Sequence, residues 1–245
     1  MKSKKIFKVI ILLCVMAYLI FAVTQLTHPT EEQLCQEVSI SVGDSTEGSF
    51  LKDCYVYSSL TKNKISPEGQ KVCQINLAQI EQCLKENPYI DNASCHYSTS
   101  GILCVHVHPR KPILHVMAQN GEEYYMDENG NTMPVGNFNL NLCVATGQIK
   151  KDYAKTDLVQ LAKFIYNNNF WNQQIVQIHV ATPHNVILSP RVGDQDICLG
   201  EIANLQEKFN KLMLFYKEGC PKVGWNKYES INLAYDGQIV CTKKD

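Results

Sequence analysis

"INLAQIEQCLKENPYIDNASCHYSTSGILCVHVHPRKP", residues 75–112, reads as one helix followed by a hairpin. Asn76 stands where an N-cap belongs, with Gln79 three residues on, and Leu77, Ile80 and Leu84 recur at the spacing of one helical face. Asn87-Pro88 ends that run. Beyond it Leu103, Val105 and Val107 alternate with Cys104, His106 and His108, the period of a strand with one buried face, and Pro109 and Pro112 close the segment. The helix needs a sheet to cover its apolar stripe, and the hairpin supplies one.

Upstream, "CQEVSISV" (residues 35–42) places Val38, Ile40 and Val42 at period two and reads as a strand. Residues 50–60 form a weaker helical candidate, and residues 66–69, Ser-Pro-Glu-Gly, a turn. Strand, helix, helix, strand, strand is the order of a small α+β unit. At the amino terminus Lys2, Lys4, Lys5 and Lys8 precede the uncharged run "VIILLCVMAYLIFAV", residues 9–23. With Ile6, Phe7 and Leu26 extending it and Lys8 snorkelling, the run matches a bilayer core of roughly 30 Å as a helix. Lysines on one side and Glu31 and Glu32 on the other place the short tail in the cytoplasm and export the rest. The alternative is a cleaved signal peptide, against which stands a poor cleavage pattern, Ala22-Val23-Thr24 followed by bulky Gln25 and Leu26.

Downstream, "EEYYMDENGNTMPV" predicts a hairpin turning at Glu128-Asn129-Gly130. Residues 156–169 predict a helix through Leu158, Leu161, Ala162 and Ile165, followed by strands at 175–180, 185–189 and 197–199. A longer helix aligns Ile202, Leu205, Phe209, Leu212 and Tyr216 and stops at Gly219 and Pro221. "INLAYDGQIVCTKKD" (residues 231–245) then folds two strands over an Asp236-Gly237 turn. This half predicts a sheet mainly of antiparallel hairpins with two helices against it, its last strand lying at an edge.

Composition narrows the function. A 245-residue chain with net charge −1 and 19% charged residues lacks the basic excess of a nucleic-acid binder, and no such partner is expected. No G-x-S-x-G elbow, Walker loop, H-E-x-x-H or dinucleotide fingerprint occurs. Asp127 and Asp236 stand at turns, where aspartate is chosen for local hydrogen bonding. His106 and His108 share a strand face, with His96 and His115 as further candidates for a metal. The plainer reading is a solvated polar face opposite Leu103, Val105 and Val107, with no carboxylate at ligand spacing. Of eleven cysteines, Cys14 lies in the apolar run and the other ten are exported. Cys95 and Cys104 face each other if Thr99-Ser100 centre the turn, and a one-residue shift separates them. The exported cysteines read mostly as small buried hydrophobes with one or two bridges among them, and no C-x-x-C pair occurs. No catalytic residue, cofactor or metal is expected.

Several stretches, in this order, carry a resemblance to the bacterial cell-division FtsQ (DivIB) family. Residues 75–116 resemble the second helix and closing strands of that family's POTRA domain. "YYMDENGNTMP" is similar to its aromatic-apolar-Asp-x-x-Gly hairpin, "ICLGEIANLQEKFNKL" to its Leu-Gly-x helix and "INLAYDGQIV" to its closing strand and hairpin. Asn232 and Ala234 depart from the family's Asp and Arg, and His108 from its Glu or Gln before the exit. The resemblance implies an α+β chain in three parts: a cytoplasmic tail and transmembrane helix (1–28), a POTRA-like domain (29–117) and a β-rich domain (118–245).

It further implies a non-catalytic divisome scaffold at the inner membrane and division septum, with FtsB/DivIC-like and FtsL-like partners and other divisome members. An open edge strand invites pairing by another chain. The resemblance places that contact on Gln238, Ile239, Val240, Cys241 and Thr242, with Tyr235, Phe215 and Tyr216. Alternation turns about half of the strand inward, and the sequence leaves the parity open. The first strand of the POTRA-like domain is a second candidate edge. The alternatives are another POTRA-bearing translocation or secretion component and a periplasmic metal-dependent enzyme using the His106 and His108 face.

Overall fold

The computed structural model describes residues 2–27, 34–43, 56, 67–98, 100–136 and 140–244. Helix α1 runs Lys2–Thr27, 26 residues. Its described side chains, fourteen positions from Ile10 to Val23, expose almost all of their apolar groups. Among the described residues no helix is long and apolar enough to cross a membrane. Fourteen helical positions span only about 21 Å at a rise of roughly 1.5 Å per residue, short of a bilayer core. The expected span is therefore not found among the described residues.

The chain divides into two compact units, residues 1–109 and 110–245. In the first, β1 (Val38–Val42), β2 (Ile90–Tyr97) and β3 (Leu103–Pro109) form a sheet ordered β1-β3-β2. Helix α2, Leu77–Lys85, begins as its residues dictate, with the Asn76 side chain accepting the Gln79 amide at 3.2 Å. Its Ile80 and Leu84 are buried with Leu103, Val105 and Val107, so the alternation in β3 separates core from solvent. β1 pairs β3 in parallel and forms one sheet edge, as expected. The helical candidate at residues 50–60 lies outside the described residues, apart from the fully buried Val56.

The β2–β3 register separates the two cysteines. His96 stands opposite Cys104, and Cys95 opposite Val105. Gly101 adopts φ 81° and the Ser98 amide donates to Ile102 at 2.9 Å, so the loop takes one residue more than a two-residue turn. Cys95 and Cys104 consequently point to opposite faces and do not pair. All cysteines among the described residues carry free thiols, of which Cys35, Cys143 and Cys220 are buried.

The second unit is a nine-stranded sheet of order β12-β11-β10-β9-β8-β7-β4-β5-β6. Its first strands are β4 (Pro112–Ala118), β5 (Glu123–Asp127), β6 (Thr132–Pro134) and β7 (Cys143–Gly147). They continue with β8 (Ile175–Thr182), β9 (Asn185–Pro190), β10 (Asp196–Gly200), β11 (Tyr228–Asn232) and β12 (Val240–Lys243). Most of its pairings are antiparallel hairpins between consecutive strands, as expected, namely β4 with β5, β5 with β6, β8 with β9, β9 with β10 and β11 with β12. The sheet is nevertheless mixed, because β4 with β7, β7 with β8 and β10 with β11 are parallel. A chain returning parallel to its own strand needs a crossover, which the β5–β6 hairpin supplies between β4 and β7 and helices supply for the other two pairs. Helix α3 (Lys151–Tyr153, a π-helical turn Ala154–Leu158, then Val159–Tyr166) and α4 (Asn169–Gln174) carry the chain from β7 to β8. Helix α5 (Leu205–Leu214, a π-helical turn Phe215–Gly219, then Cys220–Val223) carries it from β10 to β11.

The helices share one core. Phe209 of α5 lies 4.8 Å from Phe164 and 5.0 Å from Trp171, ring centre to ring centre. Leu158, Leu161, Ala162 and Ile165 are buried beneath them, as their spacing predicts. Burying one such large apolar side chain is worth about 2 kcal/mol, which ties both crossovers to the same sheet face.

Candidate functional site

β12 is the last strand of the sheet, and among the described residues it pairs only with β11. Cys241 stands opposite the buried Ile231, and Cys241 and Ile239 pack against the core. Val240, 42% exposed, and Thr242 face out. This settles the parity: Ile239 and Cys241 support the strand from within, while Val240 and Thr242 present side chains to solvent. The hairpin turn follows its residues, with Gly237 at φ 70° as an Asp-Gly turn demands.

Beside the edge runs a groove of about 380 Å³ lined by Lys211, Leu214, Phe215, Glu218, Gln238 and Ile239. α5 forms one wall and the closing hairpin the other. The Lys211 ammonium joins them, donating to the Tyr235 carbonyl at 2.9 Å. The π-helical turn at Phe215–Gly219 lies in this wall, and π-helical turns of this kind occur often at functional sites. Phe215 lies 5.9 Å from the Tyr228 ring, so it spans groove and sheet. Gly219 is needed where it stands, because a Cβ there would lie 2.7 Å from the Phe215 ring.

The start of α5 is fixed from below. Lys208 is buried, and its ammonium donates to the carbonyls of Leu199 at 2.9 Å and Glu201 at 2.7 Å. Burial pushes its pKa down. Asn232, which departs from the family's Asp, keeps an oxygen acceptor that receives the Ala234 amide at 2.9 Å.

Of the residues expected at this site, Phe215, Gln238, Ile239, Val240, Cys241 and Thr242 come together at the groove and edge. Tyr235 lies at the hairpin, 51% exposed. Tyr216 does not join them. It is 4% exposed and packs 5.1 Å from Trp225 and 5.9 Å from Trp171, and burial raises its phenol pKa. Sequence reasoning missed Lys211, Glu218 and above all Leu214, 57% exposed. An aliphatic residue off the buried stripe of an amphipathic helix was the available signal.

A second cavity of about 490 Å³ lies where β4, β7 and β8 end, lined by Gln119, Gln148, Lys150, Tyr153 and Pro183. It does not reach the sheet edge. In the first unit His96 and His106 stack 5.1 Å apart, while His115 belongs to β4 and pairs with Glu123 at 2.8 Å. Among the described residues no group of three His, Cys, Asp or Glu side chains stands ready to hold a metal.

The family described as FtsQ/DivIB, C-terminal related, matches residues 111–242, more than half of the chain. The chain belongs to that family. A POTRA-like domain matches residues 33–108. The FtsQ/DivIB-related segment coincides with the nine-stranded unit, and the POTRA-like segment with the three-stranded one. FtsQ/DivIB-related domains are typically non-catalytic, and they point to division-related scaffolding. No curated protein sequence matches the chain.

Proposed function

We propose that this FtsQ/DivIB relative is a non-catalytic scaffold of the bacterial division machinery. It links early and late division proteins and helps control septal peptidoglycan synthesis by recruiting FtsB/DivIC-like and FtsL-like partners. The observation that carries the proposal is the open edge of β12 beside an apolar groove, within a domain related to FtsQ/DivIB. Backbone groups of the edge supply affinity, and Val240, Thr242 and Leu214 supply side-chain selectivity. α1 anchors the chain in the cytoplasmic membrane, with its lysine-rich start inside and the α+β units outside. The uncharged apolar run of residues 9–23 behind four lysines, and the exposed apolar side chains from Ile10 to Val23, support that anchor.

The test is a titration of the full chain, purified in detergent, with the extracytoplasmic parts of the same cell's FtsB and FtsL homologues. Saturable binding, weakened about tenfold or more by Leu214→Glu and Val240→Asp, is the expected result. A folded wild-type chain that binds neither segment refutes the reading. A fluorescent fusion at the amino terminus should collect at the division septum, and uniform membrane staining would count against it.

A further inference from the structure

Three neighbouring strands of the nine-stranded sheet, β4, β7 and β8, run parallel and end side by side, with Ala118 level with Gly147 and Gly147 with Val180. The chain leaves β4 toward β5 on one side, and leaves β7 through α3 toward β8 on the other. Loops that part in this way leave a crevice beyond the carboxyl ends of their strands, where open sheets of this kind hold ligands. The cavity of about 490 Å³ lies in that crevice, and its size falls within the roughly 300–1,000 Å³ of small-molecule sites.

The loops around the cavity are joined to one another. Glu122, after β4, accepts from Lys151 at the start of α3 at 2.6 Å and from the Asn120 side chain at 3.1 Å. The Tyr153 hydroxyl of α3 donates to the Pro183 carbonyl, beyond the end of β8, at 3.4 Å. The Gln119 amide donates to the Gly147 carbonyl at 2.8 Å and the Gln148 amide to that of Val180 at 2.7 Å. None of these bonds uses the side chain of Gln119, Gln148 or Lys150. Those three groups line the cavity and form no hydrogen bond or ion pair with another described residue.

We propose that this cavity is a binding site for the carboxy-terminal end of a short peptide. Lys150 is the one charged residue among the described residues of the lining, and its ammonium pairs with the terminal carboxylate. A single cation matches one carboxylate better than it matches a polyphosphate, and it repels a cationic ligand. Gln119 and Gln148 each carry two N–H donors and an acceptor oxygen, the complement of the N–H and C=O groups along a peptide backbone. Ile149, the Tyr153 ring and Pro183 form an apolar wall for the last side chain. The site lies away from β12 and does not depend on strand capture there.

The test is calorimetric titration of the full chain in detergent with N-acetyl dipeptides ending in alanine, leucine or phenylalanine, each beside its carboxamide. Saturable binding of one acid per chain is expected, weakened about tenfold or more in the matching amide. Lys150→Met keeps the aliphatic stem, and the Lys150 side chain makes no cap bond to α3, so circular dichroism should be unchanged. Its affinity should fall about tenfold or more, whereas Lys150→Arg retains binding. Gln148→Ala should bind severalfold more weakly, and Lys222→Met, on α5, should bind as the wild type does. No saturable binding of any of these acids by the folded wild type overturns the site. Equal affinity for acid and amide overturns the carboxylate assignment, and undiminished binding in both Lys150→Met and Gln148→Ala overturns its location.

Discussion

Proline at two positions of β12 should have opposite effects. The Leu233 amide donates to the Cys198 carbonyl at 2.9 Å, so at Leu233 the N–H of β11 faces β10. Backbone groups alternate along a strand, so the N–H and C=O of Asn232 face β12, where Val240 is the partner. An independent bond agrees: the Lys244 amide donates to the Lys227 carbonyl at 3.1 Å. Counting back from Lys244, the amides of Thr242 and Val240 point into the sheet, and those of Lys243 and Cys241 point out.

Val240→Pro therefore removes a ladder bond and forces a ring against β11. It should cost about 2 kcal/mol and lower the melting temperature by roughly 4–8 °C. Lys243→Pro removes only an outward donor on an exposed residue, and Thr242 before it is already extended, so stability should change by less than about 0.5 kcal/mol. Its effect appears in binding instead. One lost backbone bond plus the steric bulk of the ring amounts to about 1.4 kcal/mol, or tenfold in affinity. Lys243→Ala isolates the side-chain contribution and should bind nearly as the wild type does. Chemical denaturation and titration with the FtsB-like segment give the two readouts. Equal destabilisation by both prolines would refute the assigned parity, and equal binding by Lys243→Pro and Lys243→Ala would refute strand capture at this edge.

Other outcomes follow from buried groups. Asp127 is buried and accepts from Arg110 at 2.7 Å, from the Asn131 side chain at 2.9 Å and from the amides of Asn129 and Asn131, so Asp127→Asn should cost about 3 kcal/mol in urea denaturation. Burial pushes its pKa up, but the bonds from Asn131 and Arg110 outweigh that and leave it lowered. Its contribution to stability is accordingly full above the unfolded-state value of about 4 and fades as pH falls through and below it, an acid limb that Asp127→Asn should flatten. Gly147 has φ 101°, and a Cβ there would meet the Val180 carbonyl oxygen, so Gly147→Ala should cost about 3 kcal/mol by thermal unfolding.

Local chemistry made much of this fold readable. The Asn76 cap, the alternation through Leu103 to Val107, the helical face through Phe209 and Leu212 and the Asp-Gly hairpin each depend on neighbours within a few residues. What escaped depends on something farther off. α3 starts at Lys151 with no side-chain cap to mark it, earlier than the apolar spacing indicates. α4 starts on Asn168, whose side chain accepts the amides of Phe170 and Trp171, a cap hidden in a run of asparagines. Tyr216 lies on the same stripe as Phe209 and Leu212, and only the packing of Trp171 and Trp225 shows that it is enclosed. Parallel pairing is not written in any strand, because it follows from where the crossovers land, two of them helical and one the β5–β6 hairpin.

The two ends of the nine-stranded sheet support the choice of β12 as the working edge. β6, at the far end, spans only Thr132–Pro134 and includes a proline, which has no amide to offer. A three-residue strand with a missing donor is a poor template for pairing, the usual way an edge is closed. β12 carries no proline, offers outward amides at Cys241 and Lys243, and is flanked by the groove under Leu214. Its register with β11 slips between Tyr228 and Ser230, which adds twist near Lys243 and Lys244. Twist and positive charge at that end oppose pairing with a second copy of the same strand. A partner that pairs near Val240 while placing acidic groups beside the lysines meets neither obstacle. The edge is thus protected from self-association by features that leave it open to a complementary strand.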